Sequence, residues 1–164
     1  NWALCALFPD RRISYHLEKP SIKIAVLDSG INDNISVLKG KVKDRYNTLS
    51  NSTLTNDQLG HGTMVASIIS SSPNEYTISG VNPYAELYDV QVLNEMGIGE
   101  VSNIVKGIEW AIEKQVDIIN ISFGVSDADE SLEYSGSSCC RKYIWSYSRV
   151  PCKVRRRLFN LSSR

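Results

Sequence analysis

The chain has 164 residues, 42% apolar and 22% charged, which excludes a disordered or collagen-like polymer and fits one globular domain or one large piece of one. Eighteen basic and eighteen acidic residues cancel to a net charge of zero, but they are segregated. Residues 1–134 hold ten bases against all eighteen acids, a net −8, and residues 135–164 hold eight bases and no acid. The cysteines divide in the same way, with Cys5 early and Cys139, Cys140 and Cys152 late. No stretch approaches the roughly 18 apolar residues of a membrane helix, and the start lacks the basic and apolar regions of a signal peptide, so the compartment stays open. Asn1 stands where an initiator Met would be expected, so the expectation is that the true start, with any leader or pro-segment, is missing from this sequence.

Ile22 to Leu27 is a short, β-branched apolar run that predicts a strand buried on both faces, ending at Asp28-Ser29-Gly30. Residues 31–60 are polar and rich in Asn, Ser and Thr, and read as a long surface excursion with one weak strand candidate at Lys41 to Asn47. Met64 to Ile69 predicts a buried helix opening at His61. Ala85 to Leu93 predicts a second strand, and Gly97-Ile98-Gly99 a turn. Val101, Ile104, Val105, Ile108, Ala111 and Ile112 then recur as the apolar stripe of a helix on a sheet. Asp117 to Ser122 predicts a third buried strand, stopped by Phe123-Gly124. Alternating strands and helices argue for an α/β fold, a doubly wound, mostly parallel three-layer sheet with right-handed crossovers. Beyond Glu133 the periodicity stops.

Ligands of open parallel sheets bind beyond the carboxyl ends of the strands, where Asp28 sits. His61, in the first turn of a helix, feels the positive end of the dipole, which disfavours imidazolium and suits a general base. Taken singly, such an Asp is often a cap or a solvated loop residue, and such a His is more often structural. Together with Val-Leu-Asp-Ser-Gly-Ile at 26–31, the segments Gly-His-Gly-Thr-Met-Val-Ala at 60–66, Gly-Ile-Glu-Trp-Ala at 107–111 and Ile-Ile-Asn-Ile-Ser-Phe-Gly at 118–124 form an ordered set.

On these motifs the sequence resembles the subtilisin-like serine endopeptidases from about Ile22 to Glu133, roughly the first half of such a catalytic domain. The resemblance implies hydrolysis of peptide bonds, with Asp28 orienting the imidazole and His61 taking a serine hydroxyl proton and passing it to the leaving amine. It also implies a cleft in which Ser122, Phe123 and Gly124 on one side and Gly97, Ile98 and Gly99 on the other hold an extended peptide or protein substrate as an added strand, with Ile98 and Val101 lining an apolar pocket. Gly-Ile-Gly could otherwise be half of a dinucleotide fingerprint, but Ser102 stands where its third glycine belongs and no acid ends the second strand. No cofactor is implied. Many relatives bind calcium between an early Asp and a later loop; Asn74 matches the loop, but Val37 stands at the position of the Asp and cannot ligate.

The family's nucleophile motif, Gly-Thr-Ser, and its oxyanion segment, Ala-Ala-Gly-Asn, do not occur in this sequence. Residues 138–142, back-translated and reread one nucleotide downstream, permit Val-Ala-Ala-Gly-Asn, and residues 150–154 permit Tyr-Pro-Ala-Lys-Tyr, which resembles the next strand approach of the family. The expected organisation is therefore an N-terminal extension (1–21), a truncated subtilisin-like catalytic domain (22–134) and a basic, cysteine-containing tail (135–164) outside the native fold, read as an out-of-frame product. Such a partial sheet, with an open edge and an uncovered face, predicts aggregation or proteolysis. A non-catalytic peptide-binding relative is the alternative. A nucleic-acid tail built on Arg155-Arg156-Arg157 with Tyr143, Trp145 and Tyr147 is the weaker one, and the late cysteines lack metal-ligand spacing.

Overall fold

A computed structural model describes residues 21–72, 79–124 and the backbone of a strand at 144–146. The strands are β1 (Lys23–Asp28), β2 (Val42–Asn47), β3 (Glu86–Gln91), β4 (Ile118–Ile121) and β5 (Ile144–Ser146); the helices are α1 (His61–Ser70) and α2 (Val101–Glu113). The strands form one sheet in the order β2-β3-β1-β4-β5, and every pair is parallel. This is the α/β architecture expected from the alternating pattern. The weak candidate at 41–47 is β2, an edge strand whose polar residues keep it half-exposed. Within 135–164 the described backbone is that of 144–146, which pairs with β4.

Alternation along the strands divides the core in two. Ile24 and Val26 of β1 and Leu87 of β3 pack with Ala66 of α1 on one face. Ala25, Leu27, Val90 and Val92 pack with Ile104, Ile108 and Ala111 of α2 on the other. Gly107 lets α2 lie close to the sheet, because a Cβ there would meet Val92 Cγ1 at 2.9 Å and Val90 Cγ1 at 3.0 Å. The edge strand is clamped to the far end of α2: Tyr46 stacks on Trp110 at 5.6 Å between centroids, and Lys114 Nζ lies 2.7 Å from Asp44 Oδ2.

The helix faces correct one expectation. The connections β2-α1-β3 and β3-α2-β4 step along the sheet in the same direction, yet α1 and α2 cover opposite faces. The two crossovers therefore have opposite hands, and they cannot both be right-handed. The right-hand rule rests on a twisted strand feeding a helix through a short connection; here β2 reaches α1 only through the long loop 48–60, which relaxes that constraint.

Candidate active site

Strands β3 and β4 flank β1, and all three run parallel, so the segments after them emerge at the same edge as the carboxyl end of β1. That end is Asp28. Its carbonyl accepts Val92 N–H at 2.8 Å and Leu93 N–H at 3.2 Å, which fixes the exit of β3 beside it. The Asp28 side chain is fully buried. Its Oδ1 accepts Ser29 N–H at 2.8 Å and lies 2.7 Å from His61 Nδ1, and its Oδ2 has no hydrogen-bond partner among the described residues. A carboxylate oxygen accepts, so the hydrogen of this bond is carried by Nδ1. The bond fixes the neutral ring with its hydrogen on Nδ1, leaving the Nε2 lone pair free. The His61 side chain is 39% exposed, so that lone pair is open to an incoming molecule.

The two residues meet because their backbones approach closely. A Cβ on Gly62 would fall 2.2 Å from Gly30 O and 3.1 Å from Asp28 Cβ, so only glycine allows the first turn of α1 against the end of β1. Gly30, at φ +109°, turns the chain away beneath residues 56 and 57.

Sequence reasoning missed Asp57, whose only signal was an acid four residues before His61 in a polar run. Its Oδ1 accepts Ser29 Oγ–H and Gly60 N–H, each at 2.8 Å. Its Oδ2 accepts Thr63 N–H at 2.9 Å and the Thr63 hydroxyl. Burial pushes the Asp57 carboxyl up, but these donors outweigh it and hold the group below its ordinary range. Gly60, the residue before α1, makes no side-chain cap; Asp57 serves as one from outside the helix.

Two further residues hold the loop that carries Asp57. Gln91 Oε1 accepts Asn56 N–H at 3.0 Å, and its Nε2 donates to Asn56 O at 3.2 Å. Asp89, buried beneath, accepts Ile31 N–H at 3.1 Å, Arg45 Nη1–H at 2.9 Å and the Thr55 hydroxyl. Burial pushes its carboxyl up to about 6, in spite of Thr55 and Arg45.

The flanking segments are open. Asn94, also missed, organises the first: its side chain accepts Met96 N–H at 2.9 Å and Ile98 N–H at 3.0 Å, and its own N–H donates to Ile98 O at 2.9 Å. Gly99 fits because a Cβ would lie 2.5 Å from Val92 O, and Gly97 takes φ +75° beside Leu59. Ile98 is 62% exposed. On the other side β4 ends at Ile121, Ser122 Oγ accepts Asn120 Nδ2–H at 2.8 Å, Phe123 packs on the α2-side core, and a Cβ on Gly124 would meet nothing among the described residues. The structure thus joins Asp28 to His61 and leaves 97–99 and 122–124 as the segments after β3 and β4.

Among the described residues no group of three His, Cys, Asp or Glu side chains could hold a metal, and no helix is long and apolar enough to cross a membrane. Val37 offers only a hydrocarbon side chain where a calcium site would need an oxygen, and its carbonyl accepts Ser72 N–H at 2.9 Å. Asn74, the three late cysteines and the arginine run lie outside the described residues.

The sequence profile of the subtilase family matches residues 19–152. The minor extracellular protease Epr of Bacillus subtilis is 39% identical over 114 residues, covering 68% of this chain and 17% of that protein. The thermostable alkaline protease of Halalkalibacterium halodurans is 36% identical over 111 residues, covering 68% of this chain and 30% of that protein. Subtilisin Savinase of Lederbergia lenta is 36% identical over 123 residues, covering 75% of this chain and 45% of that protein. The chain spans less than half the length of each of these relatives, and over the greater part of its own length it belongs to the subtilase family.

Proposed function

We propose that this chain carries the Asp–His part of a serine endopeptidase site that hydrolyses extended peptides. The observation that supports this reading best is the 2.7 Å bond between the buried Asp28 carboxylate and His61 Nδ1, at the carboxyl edge of the sheet. His61 Nε2 would take the proton of a serine hydroxyl supplied from outside these 164 residues and return it to the leaving amine. Asp28 would stabilise the imidazolium formed between those steps without itself being protonated. The peptide would lie between 97–99 and 122–124, its backbone paired as an added strand. This chemistry asks for no cofactor.

The test is a chimera in which residues 22–124 replace their counterpart in a related subtilase that supplies a Gly-Thr-Ser segment. Cleavage of a denatured protein that depends on His61 is the expected result. Activity unchanged in His61→Ala would overturn the reading. A non-catalytic peptide-binding role would use the same two segments, with Ile98 62% exposed beside them. It predicts binding of an unstructured peptide by the unmodified chain without cleavage. In either case Gly124→Trp should remove peptide binding while leaving stability within about 0.5 kcal/mol, since a Cβ there meets nothing among the described residues.

A further inference from the structure

Ser29 stands between two carboxylates and has one hydroxyl hydrogen to give. Its Oγ lies 2.8 Å from Asp57 Oδ1 and 3.3 Å from Asp28 Oδ1. It also accepts Gly62 N–H at 3.1 Å. The hydrogen goes to the nearer oxygen, so Asp57 draws it away from Asp28. One of its two lone pairs accepts the peptide N–H that follows His61. Asp28 Oδ1 is then left with two close donors, Ser29 N–H and His61 Nδ1–H.

From this geometry we infer that Asp57 is a positioning residue for the Asp28–His61 pair, acting through the Ser29 hydroxyl. Two effects follow from one carboxylate. Asp57 ties down the backbone around His61, directly at Gly60 and Thr63 and through Ser29 at Gly62. It also keeps a competing donor off the oxygen that binds the imidazole. Without it, the Ser29 hydroxyl would swing to Asp28 Oδ1 as a third donor, and the imidazole bond would lengthen. Asp57 is suited to the task because its donors keep it ionised to below the ordinary carboxylate range, although burial opposes them.

The inference rests on the Asp28–His61 reading, and the experiment separates the two. The probe is the imidazole Nδ1 proton of the full chain, observed by proton NMR as a low-field resonance when it is bound to a carboxylate, with His16→Gln to identify it as that of His61. The unmodified chain is expected to show it. Its absence there would overturn the Asp28–His61 reading itself. With the resonance present, Asp57→Asn is expected to move it upfield or lose it to solvent exchange, because the freed Ser29 hydroxyl competes for Asp28 Oδ1. Ser29→Ala removes that competitor, so it should move the resonance less than Asp57→Asn does, and the double variant should recover part of the Asp57→Asn shift. A resonance unmoved in Asp57→Asn, or a double variant altered by as much as Asp57→Asn alone, would overturn the inference. If Asp57→Asn does not fold, Asp57→Glu, which keeps the charge but displaces the acceptor from Ser29 Oγ, carries the test in the same way.

Discussion

Two carboxylates, Asp28 and Asp89, are buried on the α1 side of the sheet on neighbouring strands, both fully inaccessible and each with one oxygen lacking a partner among the described residues. Their surroundings differ in one respect that separates a working group from a structural one. Asp89 is enclosed by Arg45, Thr55 and the Ile31 peptide, and Arg45 is in turn held by Asp33 at 2.6 Å. Asp28 has a half-exposed imidazole as its partner, a group that can change charge and reach solvent. A buried acid matched to a permanent cation braces a loop; a buried acid matched to a titratable, accessible base can serve proton transfer.

The comparison breaks most sharply at the two partners. In the chimera, His61→Ala should lower kcat/KM by about 10²–10⁴-fold, the scale of losing a general base, with little change in the thermal midpoint. Arg45→Met should do the reverse in the full chain: urea unfolding should show a loss of about 3 kcal/mol, because Asp89 keeps its burial and loses its cation. Gly62→Ala should destabilise by about 2 kcal/mol by urea titration, since its methyl would be driven into Gly30 O and would part α1 from β1.

The smallest effect is a slope with pH. Burial raises the Asp89 carboxyl to about 6 from its ordinary 3.8, so between these values the folded chain holds a proton that the unfolded chain releases. Its contribution therefore favours folding at low pH and is lost as pH rises through about 6, a gain of about 1–1.5 kcal/mol on going from pH 8 to pH 5. Asp57, held below its ordinary value, has the opposite sign: its contribution is present above about pH 4 and is lost as pH falls through its folded value. Urea midpoints at pH 5 and pH 8 measure the difference, and Asp89→Asn should flatten the slope over that interval.

The strands and helices were legible where one physical pattern ruled. The nearly all-apolar run at 22–27, interrupted only by Lys23, fitted a strand buried on both faces, and the stripe from Val101 to Ile112 fitted a helix on a sheet. His61 and Asp28 were legible because each lies at a junction between elements, with glycines that mark a close approach. Asp57 was not, because its value comes from Ser29, Gly60 and Thr63 folding around it, and in sequence it is one more acid in a polar loop. Asn94 was hidden for the same reason. The hand of the crossovers was misread because the sequence does not say which face each helix covers, and the long loop 48–60 frees α1 from the usual constraint.

The central claim is that Asp28, and not its buried neighbour, is bound to the imidazole of His61. The direct measurement is the low-field Nδ1 proton resonance of the full chain beside those of Asp28→Asn and Asp89→Asn. The account predicts a resonance in the unmodified chain that persists in Asp89→Asn and is lost or moved upfield in Asp28→Asn. A resonance that Asp28→Asn leaves unchanged would contradict it.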